Sequence, residues 1–249
     1  LMRDVNWIKT NLFAHRGFHS LDKTVPENSL TAFSRAIDRG YGIELDINCL
    51  NDGTVVVFHD KDLQRMCRDN RRLANLSWDD IRSMNLLDTK ESIPTLKDVL
   101  ALVKGQVPLL IELKHHGDYL KLCERFIEEI QGYSGTYAIH SFHPNILKWF
   151  RKYHPDIIRG QISEYFLEEK DMKKITIHLL KTLFFNPFTK PDFINYGLRD
   201  MPNKYLDRAK RKGLVIIGYA AKSQADMDKV TSWYDNAVFE YFEPKRQTR

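Results

Sequence analysis

Ionisable residues recur at the ends of short apolar segments in the first part of the chain. His15 and Arg16 follow apolar residues 12–14, and Gly17 after them permits a sharp turn. Glu44 and Asp46 alternate with apolar residues in a second segment. On a β-strand the two carboxylates would share one face, about 6.6 Å apart, from a rise of about 3.3 Å per residue. Carboxylates this close repel each other unless a cation or a proton lies between them, so their spacing predicts a site for a hard divalent ion.

A third apolar segment, residues 54–59, follows an Asp52-Gly53 pair and ends in His59. An Asp-Gly pair between two strand-like segments is a strong hairpin signal. A turn near Asp52 would place His59 opposite Leu45, at the level of the two carboxylates. Two histidines beside one metal site can remove one proton and deliver another at neutral pH. The alternative for either histidine alone is a metal ligand or a core residue, and it is less favoured for the pair.

A further carboxylate, Glu112, lies near the end of the apolar segment 107–113 and is followed by Lys114. A buried carboxylate is unfavourable unless it is paired with a cation or bound to a metal. Two interpretations therefore stay open for Glu112. It is either a third metal ligand or the partner of Lys114 or Arg16 in an ion pair. An all-oxygen ligand set favours Mg²⁺ or Ca²⁺ over Zn²⁺.

Strand-like and helix-like segments alternate along the chain and must position these residues. We expect strands at residues 12–14, 42–46, 107–113, 136–142, 157–162, 193–196, 214–219 and 237–241, with residues 54–59 as the arm of the hairpin. We expect helices at residues 26–40, 95–104, 118–130, 144–153, 165–185, 203–212 and 224–233. Eight such units in about 250 residues predict an α/β fold, the (β/α)8 TIM barrel, in which chemistry lies at the carboxyl ends of the strands. Residues 61–92 are polar and irregular, with one helix near residues 77–81, and we interpret them as a small insertion after the hairpin. The sequence has no linker and no internal repeat, so we expect one domain over residues 1–249.

The order and spacing of the ionisable residues resemble the glycerophosphodiester phosphodiesterase family. The matching pieces are His15-Arg16-Gly17, Pro26-Glu27-Asn28-Ser29, Glu44-Leu45-Asp46, Asp52-Gly53, His59-Asp60, Ile93-Pro94-Thr95-Leu96 and Glu112-Leu113-Lys114. The match covers residues 12–115 almost without gaps, and it is weaker beyond them.

The resemblance implies metal-dependent hydrolysis of glycerophosphodiesters to sn-glycerol 3-phosphate and an alcohol. In the family, a glycerol hydroxyl is thought to attack phosphorus, and water then opens a cyclic intermediate. The implied cofactor is one divalent ion, Mg²⁺ or Ca²⁺. The roles carried over are metal ligands for Glu44, Asp46 and Glu112, the acid–base pair for His15 and His59, substrate or phosphate binding for Arg16, Lys114 and Tyr219, and support for Glu27 and Asn28. For Asn28, as for Ser29, capping of the helix is an equally open role.

The chain departs from the family pattern near its end. Relatives commonly have Trp-Thr-Val-Asn on the penultimate strand, where this chain has Tyr219-Ala220-Ala221-Lys222. Glu240 takes the acidic position of the last strand. These changes leave open which alcohol headgroup is accepted, and they leave two alternatives in place. One is a lysophospholipase D-type phosphodiesterase acting on lipid substrates, and the other is a catalytically silent barrel that binds phosphate ligands.

Composition limits the class of protein. The 249 residues are 43% apolar and 29% charged, with a net charge of +5 that is spread along the chain. This is typical of a globular protein, and no motif indicates a nucleic-acid partner. The partner that the resemblance implies is a small-molecule glycerophosphodiester substrate. Three scattered cysteines do not form a disulfide framework. Residues 1–7 lack the apolar core of a signal peptide, and no apolar segment approaches the roughly 20 residues that span a bilayer. We therefore expect a cytoplasmic location without stable membrane insertion. The apolar residues 175–188 are either a helix packed on the barrel or a lip for a lipid-bearing substrate.

Overall fold

A computed structural model describes residues 3–169 and 172–245. The chain divides into two compact units. The first-half unit is Phe13–Tyr137, and the second-half unit combines Leu1–Leu12 with Ala138–Arg249. Parallel strands alternate with helices along the chain, and the expected (β/α)8 TIM-barrel class is confirmed. The expectation of a single domain stays a prediction.

The strands and helices have the following bounds. The strands are β1 (Phe13–Ala14), β2 (Gly42–Cys49), β3 (Val55–Val57), β4 (Leu109–Leu113), β5 (Tyr137–Ser141), β6 (Arg159–Ser163), β7 (Phe193–Gly197), β8 (Val215–Ala221) and β9 (Asn236–Phe239). The helices are α1 (Asn6–Thr10), α2 (Leu30–Asp38), α3 (Gln64–Cys67), α4 (Trp78–Ile81), α5 (Leu96–Val103), α6 (Tyr119–Ile130), α7 (Pro144–Tyr153), α8 (Lys174–Lys181), α9 (Asn186–Thr189), α10 (Lys204–Arg211) and α11 (Gln224–Trp233).

Strand β2 is the centre of the first-half unit. It pairs in parallel with β1 on one side and with β4 on the other, where Asp46 lies opposite Glu112. Beyond the middle of β2, strand β3 pairs with it in antiparallel register, with Ile47 opposite Val57. The Phe58 N–H donates to the Asp46 carbonyl at 2.9 Å, which extends this register by one residue. The expected hairpin is therefore confirmed, and its register brings His59 to the level of the carboxylates on β2.

In the second-half unit, β5, β6, β7, β8 and β9 pair in parallel in the order of the chain. Helix α1 belongs to this unit. The side-chain amide of Asn236 on β9 donates to the carbonyls of Ile8 and Asn11, each at 2.7 Å. These bonds satisfy two carbonyls at the end of a short helix and tie it to the sheet.

Two sequence expectations need correction. The helix expected at residues 165–185 is much shorter, because α8 covers only Lys174–Lys181 and α9 only Asn186–Thr189. Phe166 and Leu183 have φ of 55° and 59°, and a residue in this left-handed region cannot continue a helix. Residues 170 and 171 of that expected helix lie outside the described residues.

The insertion is also more ordered than its polar sequence indicates. It contains α3 as well as α4, and the side chain of Ser77 and that of Asp80 cap α4 reciprocally. Its apolar residues form a core with the hairpin, made of Leu50, Val56, Phe58, Leu63, Met66, Leu73, Leu76, Ile81, Leu86 and Ile93. The insertion is therefore packed against β2 and β3 and can hold side chains in place near His59. Among the described residues, no helix is both long and apolar enough to cross a bilayer.

Candidate active site

Three buried carboxylates meet where β2 and β4 lie side by side. Glu44 and Asp46 alternate on β2 and so point to one face, and Asp46 is paired in register with Glu112 on β4. One oxygen from each of the three carboxylates lies within 4.8 Å of the others. The residues are only 2%, 1% and 6% exposed, respectively. Because three buried anions repel one another, this cluster requires cations close by.

Lys114 supplies one of these cations. Its Nζ lies 2.7 Å from Glu112 Oε1 and 2.9 Å from Asp46 Oδ1, and the side chain is buried. Burial opposes the charge of this ammonium, but Asp46 and Glu112 outweigh burial and raise the pKa of Lys114. The ion pair left open by the sequence is therefore present, and a second carboxylate shares it.

Arg16 supplies another cation from the turn after β1. Its φ of 54° is left-handed, which reverses the chain and points the Arg16 N–H at Glu44 Oε2, 3.2 Å away. The guanidinium Nε lies 3.3 Å from Asp46 Oδ2. Burial opposes the charge of Arg16, but the neighbouring carboxylates raise its pKa above the ordinary value. His15 precedes this turn, with Nε2 3.9 Å from Glu44 Oε2.

Asn28 and Glu27 both contact this arrangement, and the supporting role that the resemblance implies for them stays a prediction. The cap of α2 is Ser29, whose Oγ accepts from the Ala32 N–H at 3.1 Å. Asn28 instead adopts a left-handed φ of 55° and donates from Nδ2 to Asp46 Oδ2 at 2.9 Å. Glu27 accepts a hydrogen bond from Arg16 Nη1 at 2.7 Å. Together they fix the orientation of one carboxylate and one guanidinium of the site.

His59 is held by two residues that the sequence analysis did not assign to the site, Asp60 and Arg65. His59 Nδ1 lies 2.7 Å from Asp60 Oδ1, so this ring nitrogen donates to an ionised carboxylate. Arg65 donates from Nε to Asp60 Oδ2 at 2.7 Å and from Nη2 to Glu27 Oε1 at 2.7 Å. Burial favours the neutral form of Asp60, but the hydrogen bonds from His59 and Arg65 outweigh it and lower its pKa.

Arg65 therefore connects Asp60, which holds His59, to Glu27. Glu27 bonds both Arg65 and Arg16, so a continuous chain of ionic contacts runs from His59 to Asp46. The sequence held one weak signal for this link, an arginine five residues after Asp60 in a segment that otherwise read as an irregular insertion. No spacing rule connects such a residue to a strand end, because its position depends on how the insertion folds.

The charges of this network do not cancel. Five carboxylates stand against three cations, which leaves two negative charges in excess while the histidines are neutral. The members are Glu27, Glu44, Asp46, Asp60 and Glu112 with Arg16, Arg65 and Lys114. An excess of two negative charges beside three carboxylate oxygens suits one hard divalent cation. The donor set of this structure therefore fits the expected metal.

Tyr219 lies in the second-half unit, on β8. Its ring packs edge-on against Phe142, and its hydroxyl is 3.4 Å from the Ser163 carbonyl. Lys222, which departs from the family pattern, forms an ion pair with Glu240 at 3.3 Å. Lys222 therefore neutralises the acidic residue of the last strand. Substrate binding by Tyr219 stays a prediction.

Comparison with known proteins identifies the family of this chain. The Glycerophosphoryl diester phosphodiesterase family matches residues 15–240. That range contains both histidines, the three carboxylates and the cations described above. The chain belongs to this family, and the expected enzyme class, a phosphoric diester hydrolase, is confirmed.

Similar proteins and structures extend over most of the chain. A glycerophosphodiester phosphodiesterase of Bacillus altitudinis is 28% identical over 180 residues, which are 68% of this chain and 72% of that protein. One of Caldanaerobacter subterraneus is 29% identical over 181 residues, 69% of this chain and 65% of that protein. An Oleispira antarctica phosphodiesterase, solved with the product sn-glycerol 3-phosphate, superposes with a TM-score of 0.77 at 19% identity over 95% of each chain. A glycerophosphodiester phosphodiesterase from Agrobacterium tumefaciens superposes with a TM-score of 0.69 at 20% identity, over 93% of this chain and 96% of that one. At these identities the two structures show a shared fold.

Proposed function

We propose that this chain hydrolyses glycerophosphodiesters to sn-glycerol 3-phosphate and an alcohol, with one divalent ion, Mg²⁺ or Ca²⁺, held by Glu44, Asp46 and Glu112. The observation that carries the proposal is the buried carboxylate trio, whose network retains two negative charges beside two histidines. Family membership and the product found in the Oleispira antarctica structure support the substrate class.

The carboxylate trio supports the proposed kind of ion. Its ligands are all oxygen, which suits Mg²⁺ or Ca²⁺. When bound, such an ion would polarise a phosphoryl oxygen and neutralise charge that develops on it. Asn28 and Lys114 already hold Asp46 in one orientation, with contacts of 2.9 Å each. The ligands are therefore organised before an ion arrives.

His15 and His59 carry the proton transfers. Since the Nδ1 of His59 donates to Asp60, its Nε2 is left to accept a proton from, or return one to, an oxygen of the reaction. His15 presents its Nε2 at the edge of the carboxylate cluster, 3.9 Å from Glu44. One imidazole removes the proton of the attacking hydroxyl, and the other protonates the alkoxide that leaves phosphorus. Both rings belong to the first-half unit, and the hydrogen bond to Asp60 fixes the orientation of the His59 ring.

Arg16 and Lys114 bind the phosphate. Arg16 is fixed by Glu27 and Asp46, so its planar guanidinium is pre-oriented for the non-bridging oxygens of a phosphodiester. Lys114 adds a point charge from β4. Preorganised cations of this kind stabilise the charge that develops on the equatorial oxygens in the transition state.

A cytoplasmic location stays part of the proposal, and the three free cysteines, Cys49, Cys67 and Cys123, support it because thiols persist in reducing compartments.

The test is release of glycerol 3-phosphate from glycerophosphocholine and glycerophosphoethanolamine, with lysophosphatidylcholine as the lipid alternative. We expect product from the glycerophosphodiesters that disappears with EDTA, returns with Mg²⁺ or Ca²⁺, and is abolished in His15→Ala and His59→Ala. His154→Ala is the matched control, because it removes an imidazole that stacks on Trp149 and that has no assigned role in the site. Preferred turnover of lysophosphatidylcholine would favour the lysophospholipase D alternative. Folded protein without turnover on any of the three would favour the silent binding barrel.

A further inference from the structure

An apolar groove lies on the second-half unit, and none of the residues that line it belongs to the candidate active site. It has a volume of about 790 Å³ and is formed by the segment from the end of α8 through α9, together with α10. Its apolar lining includes Leu183, Phe184, Phe188, Tyr205 and Leu214. We call it the α8–α10 groove. The proposed reaction does not use it.

The groove carries an aromatic edge that is held in an exposed position. The rings of Phe184 and Phe188 lie 6.2 Å apart, and each side chain is 53% exposed. Arg151 donates from Nη1 to the Pro187 carbonyl at 3.1 Å and to the Phe188 carbonyl at 2.7 Å. The buried Arg159 donates to the Thr189 carbonyl at 3.0 Å. Because arginines fix the backbone of α9 at three consecutive carbonyls, the exposure of Phe188 is built into the fold.

The helix before the groove has the same character. Four of the eight residues of α8 are apolar, yet none of its side chains is fully buried, and Ile175 is 63% exposed. The end of α8 is held on the sheet, because the Leu180 carbonyl accepts from Ser163 Oγ and the Lys181 carbonyl from the Tyr196 hydroxyl, each at 2.9 Å. Three exposed apolar side chains on one segment, Ile175, Phe184 and Phe188, indicate a surface that is covered in function.

The positive charge around the groove favours an anionic partner. Lys190, Arg208 and Lys212 line it and are exposed, and no carboxylate does so among the described residues. Within residues 3–169 and 172–245, none of these three cations forms an ion pair with a carboxylate. By contrast, Lys210 on the same helix α10 donates to the Trp233 carbonyl at 2.8 Å. The groove thus combines exposed aromatic rings with unneutralised positive charge, the composition that binds at the interface of anionic bilayers.

We propose that the α8–α10 groove docks this chain on the surface of a bilayer that contains anionic phospholipid. Phe184 and Phe188 enter the headgroup and acyl boundary, while Lys190, Arg208 and Lys212 contact lipid phosphates. The contact is peripheral and reversible. It is independent of the proposed reaction, so hydrolysis of a water-soluble glycerophosphodiester does not require it.

The test is co-sedimentation of the full chain with vesicles of phosphatidylcholine, alone or mixed with phosphatidylglycerol. We expect binding to the mixed vesicles that weakens as salt is added, because salt screens surface charge. Replacing Lys190, Arg208 and Lys212 together by Gln should lower the partition coefficient by roughly 100-fold, at about fivefold per charge. The variant Phe184→Ser with Phe188→Ser should lower it by about tenfold or more. Hydrolysis of glycerophosphocholine should be unchanged in both variants, which shows that they fold.

Matched controls separate this surface from general charge and hydrophobicity. Gln at the exposed residues Lys9, Lys90 and Lys97 removes the same charge outside the groove, and Tyr153→Ser removes an aromatic side chain that is 54% exposed. Both controls should keep wild-type binding. Equal loss in the controls, absence of binding to mixed vesicles, or equal binding to phosphatidylcholine alone would overturn the proposal. So would a dimer, detected by light scattering, that the double Phe variant converts to a monomer, because the groove would then bind a second copy of the chain.

A second readout reports position directly. Phe188→Trp should show fluorescence quenching by brominated phosphatidylcholine in mixed vesicles, above the background of the four native tryptophans. Tyr153→Trp should show no added quenching. Equal quenching of the two reporters would contradict docking through this groove.

Discussion

Loss of Arg65 tests whether the insertion orients His59. Arg65 makes four hydrogen bonds, two to Asp60 at 2.7 and 3.1 Å and two to Glu27 at 2.7 and 2.8 Å. Arg65→Gln removes both ion pairs and releases Asp60 from its fixed orientation against His59. Loss of a partner that orients a reacting group lowers activity by roughly 10- to 100-fold. We expect a loss of this size in kcat with little change in KM.

The stability cost of this change is small because water screens the pairs. The Arg65 side chain is 47% exposed, so we expect Arg65→Gln to lower the free energy of unfolding by about 1 kcal/mol and Tm by about 3 °C. Arg71→Gln is the matched control. Arg71 is equally exposed, at 47%, and pairs with Asp69 at 2.8 Å within the same insertion, but it has no contact with His59.

Steady-state hydrolysis of glycerophosphocholine, measured well below the Tm of each variant, is the assay. Arg71→Gln should keep the wild-type kcat, and Arg65→Lys should recover part of the activity because it restores the charge but not the bidentate geometry. A wild-type kcat in Arg65→Gln would refute the reasoning, since it would show that His59 and Asp60 keep their orientation without Arg65. Equal losses in both Gln variants would assign the effect to general disturbance of the insertion.

Three other perturbations probe the same site. Lys114→Met removes the ammonium between two buried carboxylates, so the free energy of unfolding of the metal-free protein should fall by about 3 kcal/mol. The rise in Tm on adding Mg²⁺ or Ca²⁺ should therefore be larger in this variant than in wild type. An equal rise in both proteins would contradict the prediction. Burial favours the neutral form of Glu27, but two arginines outweigh it and lower its pKa from 4.5 to about 2. Its contribution to the free energy of unfolding, on the order of 3 kcal/mol, is therefore complete above the pKa of Glu27 in the unfolded chain and is lost as the pH falls towards the pKa in the folded protein. Glu27→Gln should make the free energy of unfolding fall less steeply with decreasing pH in acid. An unchanged slope would count against the pairing of Glu27 with the two arginines. Gly17 has a φ of +79°, and a Cβ added there would lie 2.9 Å from side chains of α2. Gly132 has a similar φ of +84°, but a Cβ added there would have no atom within 4 Å. Gly17→Ala should therefore lower Tm by several degrees more than Gly132→Ala, and equal losses would mean that α2 moves to accommodate the methyl group.

The positions of the carboxylates, Arg16 and the histidines followed from sequence because strand geometry places them. Alternation along a strand puts Glu44 and Asp46 on one face, and parallel pairing puts Glu112 opposite Asp46. The Asp-Gly turn determines the register of β3 and hence the level of His59. Alternation and the turn are short-range rules, whereas the position of Glu112 depends on the long-range pairing of β2 with β4.

Arg65 and the α8–α10 groove followed from no such rule. Arg65 reaches Asp60 and Glu27 only because apolar residues of the insertion fold onto the hairpin, and a polar, irregular sequence does not reveal that core. The apolar segment before β7 suggested one long helix by composition. The left-handed conformation of Leu183 ends the helix and turns Phe184 and Phe188 to the surface, which depends on tertiary contacts.

Metal dependence is the central claim about the site, and one measurement tests it most directly. It is the rate of glycerol 3-phosphate release from glycerophosphocholine by EDTA-stripped protein, titrated with Mg²⁺ or Ca²⁺, for wild type and Glu112→Gln. We predict that the stripped wild type is inactive and recovers with one of the two ions, and that Glu112→Gln, still folded, needs far more of that ion or fails to recover. Full activity of the stripped wild type, or recovery of Glu112→Gln at the same ion concentration, would contradict the assignment of the buried carboxylates as the metal site.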